Sequence, residues 1–387
     1  MRYESARLSG FCALEDKKRR GRIDGAFLTL VLILLCTGVL MVLSSSYARA
    51  YYDPGNHTGG NAAYYFVRQL LFAVMGSGAM LVLSRFPMGF YRRYAWHFLA
   101  FTLFLLMLVP VIGVKANGAR RWLGIGGLTL QPSELAKLAV ILSFSTMICR
   151  FRGKMGSFKY GILPFIALLL LIVGLLVLEP HFSASIIIIA IGGAMMFLGG
   201  VKLGWFIGAF TAAGAALAVL LTLFPYASSR ISTWRDPFSS ASDEGYQIVQ
   251  SLYSIGSGGL SGLGLGASRQ KYLYLPEEHN DFIFSVLCEE LGFIGAALVI
   301  VLFSMLILRG YWIAMHCRDR FSFLVCAGIT TLLAIQVFLN IAVVTNLVPC
   351  TGISLPFFSY GGTALLIQLG EMGIILSASR DVITPKG

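Results

Sequence analysis

Charge is what this sequence has least of. Only 12% of its 387 residues are Asp, Glu, Lys or Arg, about half the share of an ordinary soluble domain. That excludes a cytosolic globular enzyme and a disordered chain, because neither could be solvated. Metal and disulfide spacings are missing too. The seven cysteines contain no C-x-x-C pair, and most lie in or beside apolar runs, so they read as small core residues. His181 and His279 match no metal-ligand spacing. No internal repeat is visible, which argues against an inverted-repeat transporter.

What the chain has is apolar length. Hydrophobic residues make up 57% and mean hydropathy is +0.78. A bilayer core of about 30 Å needs about 20 apolar residues as helix. Ten runs qualify: 26–46, 64–84, 95–114, 133–149, 161–178, 182–201, 203–224, 282–308, 321–345 and 359–379. The backbone must pair internally in lipid, so the expected fold is an all-α integral membrane bundle of ten transmembrane helices. Ala48-Arg49-Ala50 imitates a signal-peptidase site. The apolar run before it is longer than a signal core, so it reads as an uncleaved first span.

The net charge of +12 needs no nucleic-acid partner. With both termini in the cytoplasm, 20 of the 30 Lys and Arg fall on the inner side, as insertion requires. The expected organisation is a basic tail (1–25), a membrane domain (26–379) and a short inner C-tail (380–387). Residues 225–281 then form one long extracellular loop between spans seven and eight, and a loop of that length usually carries function.

Polar chemistry collects at the outer end in three places. The first runs from Asn117 through Arg120, Arg121 and Trp122 to Gln131-Pro132-Ser133-Glu134-Leu135-Ala136-Lys137. Ser133 is expected to cap span four. Glu134 and Lys137 share a helix face, either as a structural ion pair or as a cavity wall holding an anionic group. The second is the end of the long loop, Arg269-Gln270-Lys271 to Pro276-Glu277-Glu278-His279-Asn280-Asp281, leading to Glu289-Glu290-Leu291-Gly292. Asp281 reads as a helix cap or as a general base. Asp281 and Glu289 should project from a similar face, ~12 Å apart. The Gly262–Ala267 G-x-G-x-x-A string has no strand before it and is no dinucleotide fingerprint. Its glycines are expected to serve close packing or a mobile loop. The third is 346–363, with two prolines and glycines at an apolar level, expected to be irregular backbone supporting the bundle or lining a cavity. Glu371 is expected to face the interior, for pairing or for function.

At these residues the chain resembles the SEDS family (shape, elongation, division and sporulation). The matching strings are Gly118–Leu123, Gln131–Lys137, Pro276–Phe282 with Glu289–Gly292, and Leu355–Gly362. The likeness spans about residues 25–379. It implies a multi-pass protein of the bacterial plasma membrane, a peptidoglycan glycosyltransferase that polymerises lipid II on its outer face, beside a class B penicillin-binding protein and other division proteins. It places the family's essential aspartate on Asp281. Charge developing on a leaving diphosphate calls for cations: Arg121, Lys137 and Lys271, then Arg120 and Arg230. Glu134, Glu289 and Glu290 would orient them or shape the cavity. The resemblance implies an inverting transfer with no protein-bound metal, the possible cofactor being a divalent cation on the substrate diphosphate. A lipid II flippase and a silent division scaffold are the alternatives. Pro349–Pro356 looks more like the division branch than the elongation branch, and the sporulation member is close to it.

Overall fold

A computed structural model describes residues 21–52, 58–116, 119–125, 128–179, 181–209, 211, 214, 232–242 and 245–382. The chain is a mostly helical, multi-pass membrane protein; the expected all-α fold is corrected by a small sheet at one end. Nine helices among the described residues are long and apolar enough to cross a bilayer. They are α1 (Gly25–Tyr51), α2 (Tyr64–Leu83), α3 (Met88–Ile112), α4 (Pro132–Arg150), α5 (Leu163–Leu178, entered through a π-turn from Phe158), α6 (Phe182–Gly199), α8 (Ile283–Met315), α9 (Arg320–Val344) and α10 (Gly362–Ser379). The expected span 203–224 is helical over Leu203–Ala209; most of it, like the basic tail before residue 21, lies outside the described residues.

Helices that are apolar on every side cannot sort themselves by amphipathicity; they are either central or lipid-facing. Here α4, α9 and α10 are the most buried. Helix α10 packs on α2, α9 on α8 and α4, and α3 and α6 on α4. Peripheral α2 turns Val67, Leu70, Val74 and Leu81 outward, as lipid contact requires.

The connections divide cleanly between the two ends. At one end Asp24 caps α1, accepting from Phe27 N at 2.8 Å, and pairs with Arg309 of α8 at 2.6 Å. Gly21 N donates to the Arg380 carbonyl beside it. At the other end the structure departs from a bare loop pattern. Residues after α3 form a three-stranded antiparallel sheet: β1 (Val114–Ala116), β2 (Ala119–Ile125) and β3 (Leu128–Leu130). Thr363 of α10 donates to the Thr129 carbonyl and ties this sheet to the bundle. The long loop is also structured. It holds the helix α7 (Tyr246–Ser257), laid against α8 and α9 through Ser251, which bonds Ser285 and the Val344 carbonyl, each at 2.7 Å.

Helix α8 is interrupted. Gly292 has φ 67° and ψ −169°, and a Cβ there would lie 2.3 Å from Gly262 N. The carbonyls of Glu289 and Glu290 accept instead from Leu263 N and Gly264 N, both at 3.0 Å. Phe293 N and Ile294 N donate to the Gly259 and Leu260 carbonyls. The glycine string around residue 262 therefore completes a broken helix, in agreement with the close-packing expectation.

Candidate active site

A cavity of about 540 Å³ opens where the sheet, α4, the α5–α6 turn, the end of the long loop and the 346–361 segment meet. Each wall residue arrives by a local rule. Successive strand residues point to opposite faces, so Arg120 and Arg121 of β2 part company. Arg121 lines the cavity, whereas Arg120 is exposed and bonds the Pro110 carbonyl at 3.2 Å. Helix α4 starts at Pro132 with Gln131 as its cap residue and no side-chain cap bond. Ser133, expected as the cap, is buried one position inside. Proline suits that first position because its missing N–H is unneeded there. One turn on, Lys137 and Glu134 pair at 2.6 Å, with Lys137 3% exposed. Both line the cavity, so the ion pair and the cavity wall are one arrangement.

Asp281 is half-buried in the same wall. It does not cap α8, which begins at Ile283. Its backbone carbonyl accepts from Asn340 Nδ2 at 2.8 Å, and the same amide holds the Ile353 carbonyl at 2.7 Å. Ser359 donates to the Asn280 carbonyl, and Tyr360 N to that of His279. The irregular 346–361 segment is thus a bracket around the aspartate. Gly352 closes it: its φ is +61°, and a Cβ would sit 3.1 Å from Asp281 Oδ2. Burial, then the neighbouring Glu277, push the Asp281 carboxyl up to about 6, with His279 and Arg121 pulling the other way.

Three expected residues stand apart from this cavity. Lys271 is 2% exposed and pairs with Glu290 at 2.9 Å; it also bonds Ser44 Oγ at 3.2 Å and the Gly266 carbonyl at 2.6 Å. Glu290 accepts from Ser44 as well. Glu289 takes Ser268 Oγ at 2.5 Å, Arg269 N at 3.0 Å and Ser254 Oγ at 3.1 Å. It shares no face with Asp281, because the helix starts after the aspartate. These groups form a clasp that fixes the long loop to α1 and α8. Arg230 lies outside the described residues.

Other cavity residues were not singled out for chemistry by sequence reading. Arg68 of α2, Gln336 of α9, Gln131 and Tyr360 all line it; a charge or amide inside an apolar run was the available signal. His181 lines it too, and was weighed only as a metal ligand. Its ring is pulled down to about 3 by burial and by Arg121 and Lys137. Nearby Glu179, 1% exposed, is pushed up to about 8 by burial against the pull of Arg121. Among the described residues, no three His, Cys, Asp or Glu side chains group as metal ligands. A smaller cavity of about 40 Å³, lined by Glu134, Gln336, Gln368 and Glu371, adjoins the main one, so Glu371 faces the interior.

The family model for the cell cycle proteins FtsW, RodA and SpoVE matches residues 25–383. The chain belongs to the SEDS family. Stage V sporulation protein E of Bacillus subtilis is 37% identical over 359 residues, covering 92% of this chain and 97% of that protein. The probable peptidoglycan glycosyltransferase FtsW of Saccharophagus degradans is 39% identical, over 93% of each chain. Among solved structures, a chain of a peptidoglycan synthase complex that coordinates polymerization and crosslinking superposes with a TM-score of 0.78 at 27% identity, covering 93% of this chain and 98% of that one. The rod shape determining protein RodA of Thermus thermophilus gives 0.67 at 26% identity, covering 94% and 98%. The SEDS fold thus extends over nearly the whole molecule.

Proposed function

We propose that this cavity holds the diphosphate of a polyprenol-linked sugar donor and that Asp281 is the base of the transfer. The chain is a peptidoglycan glycosyltransferase, as its family and its FtsW relatives support. The observation that carries the mechanism is that one cavity collects Asp281, Arg121 and Lys137. A sugar 4-hydroxyl attacks the donor's anomeric carbon, and the new C–O bond forms as the bond to the phosphate oxygen breaks. The proton passes to Asp281. The bonding electrons leave with the diphosphate, whose added charge falls against Arg121 and Lys137. Glu134 holds Lys137 in place. Inversion at carbon needs no covalent sugar–enzyme intermediate. A carboxyl titrating at about 6 is mostly ionised at neutral pH and suits the base role.

Lipid II is the substrate that fits this reading, with its tail in the bilayer and its sugars at the cavity mouth on the extracellular side. A divalent cation, where one takes part, travels on the substrate diphosphate. The partner is a class B penicillin-binding protein, a reading supported by the likeness to a polymerization and crosslinking complex. The FtsW relatives favour septal synthesis with other division proteins. The test is polymer formation from lipid II in detergent, where no leaflets exist for a flippase to connect. Wild type is expected to make glycan strands, and Asp281→Asn to lose about 10²–10⁴ in turnover while remaining folded. Near-normal polymer from Asp281→Asn removes the base role. Wild type that moves lipid II across vesicles yet makes no polymer with its crosslinking partner favours the flippase.

A further inference from the structure

Asn340 stands near the end of α9 and is fully buried. An amide inside an apolar span is costly unless its bonds are made. Its Nδ2 donates to the Asp281 carbonyl at 2.8 Å and to the Ile353 carbonyl at 2.7 Å. Both partners are acceptors, so only the NH₂ side of the amide can face them, and its orientation follows from chemistry. Asp281 is the last of three successive residues tied through their carbonyls. His279 accepts from Tyr360 N at 2.9 Å and Asn280 from Ser359 Oγ at 2.7 Å. The bond to Ile353 acts on the facing wall. Ile353 follows Gly352, where a Cβ would sit 3.1 Å from Asp281 Oδ2. One planar NH₂ group therefore holds both the backbone that carries the carboxyl and the segment that lies against it.

We propose that Asn340 is a positioning residue for the transfer: by holding the carbonyls of Asp281 and Ile353 together, it sets the place and the burial of the Asp281 carboxyl. This rests on the reading of Asp281 as the base. Asn340 does not line the cavity, so it acts through Asp281 and touches no substrate. A base displaced by about 1 Å can lose about 10²-fold in rate, and Asp281, lying before the first turn of α8, has no helix of its own to hold it. The groups that bear on its carboxyl are Glu277 and His279 of the same turn and Arg121 of β2. Arg68, Glu134, Lys137, His181 and Tyr360 complete the titratable side chains of the wall. Replacing Asn340 by a neutral residue adds no charge to this set, so any change in how Asp281 titrates reports a change in its surroundings.

The test is polymer formation from lipid II by the detergent-solubilised full chain with its crosslinking partner, read as kcat and KM across pH. Asn340→Leu removes both donors at similar bulk, and kcat is expected to fall about 10²-fold. KM should stay within about threefold, because Arg121 and Lys137 are untouched. Asn340→Ser leaves room for a water to reach the two carbonyls. It should lose about tenfold in kcat, and it keeps the test readable if the Leu variant fails to fold. Burial is the largest cause of the raised Asp281 carboxyl, so a loosened wall should move the acid limb of kcat/KM down from about 6 toward the ordinary 3.8. A base that is more ionised yet slower is the mark of misplacement. A folded variant with kcat within about threefold of wild type overturns the proposal. A limb that stays at about 6 while kcat falls overturns it too, since turnover is then lost only with folded chain. Near-normal polymer from Asp281→Asn defeats the reading of the base instead. An inactive Asp281→Asn beside Asn340 variants that match wild type defeats only this inference.

Discussion

Two lysine–glutamate pairs at the same end of the bundle do different work. Lys271 and Glu290 are sealed at 2.9 Å, each 2% exposed or less. An ammonium has three donors, and Lys271 commits all three, to Glu290, Ser44 and the Gly266 carbonyl. Lys137 meets one partner among the described residues, Glu134, and lines an open cavity. A lysine with donors to spare beside a cavity can take a phosphate, and one with none is mortar. Residue type and proximity to acid are the same in both. Only the count of committed donors separates them.

Removing one partner from each pair should show the contrast most strongly. Lys271→Met leaves Glu290 charged, buried and short of its cation, at a cost of about 3–5 kcal/mol. Thermal unfolding in detergent should register a large loss, with activity failing as the fold fails. Lys137→Met should reduce turnover by about 10²-fold or more with a melting temperature close to wild type, because Glu134 retains some solvent contact. If the two swap behaviours, the assignment of roles is reversed.

Double variants sharpen the point. Lys271→Met with Glu290→Leu replaces a sealed pair by apolar bulk, often neutral or better, and should recover much of the stability and the polymerisation lost in Lys271→Met. Lys137→Met with Glu134→Leu should fold and remain inactive. A pH series adds a signature that belongs to the cavity alone. Asp281 is protonated below about 6, so kcat/KM should fall about tenfold per pH unit below that point and level off above it. The Lys271/Glu290 double variant should keep this limb. Because the fold disfavours the ionised form of Asp281, raising its carboxyl from 3.8 to about 6, its burial costs nothing below the unfolded value, costs progressively more as pH rises from 3.8 to about 6, and costs its full amount above that; Asp281→Asn should therefore melt at or above the wild-type temperature at neutral pH.

Smaller effects belong to the bracket and the rim. Gly352→Ala forces a left-handed backbone on a residue with a Cβ, costing about 1–2 kcal/mol. It also presses on Asp281, so turnover should drop more than stability does. Arg120→Ala should change activity by less than about twofold, since exposed side chains away from special contacts tolerate replacement.

The spans were legible because hydrophobic length alone announces them, and Lys137 because a charge one turn inside an apolar run is expensive; Asp281 and Arg121 were reached through the family resemblance and the charge of a leaving diphosphate, and the same cost argument also picked out Glu289 and Glu290, which lie away from the cavity. The Lys271–Glu290 clasp was not. It closes through Ser44, 246 positions before Glu290, and no local pattern reports a contact of that span. The β-sheet hid for a different reason: its strands are three to seven residues long, too short for alternation to stand out. His181 was visible as a residue, but its place in the cavity wall was not, because folding alone brings it beside Arg121 and Lys137.

The gap in α8 bears on biogenesis. A translocon releases spans into lipid as they are made, and lipid offers nothing to the peptide groups freed at Gly292. Residues 258–264 supply what lipid cannot, so their docking is an obligatory step of maturation. A reporter or protease site inserted there should leave a chain that reaches the bilayer yet never matures, whereas the surface turn near Gly153 should accept the same cargo.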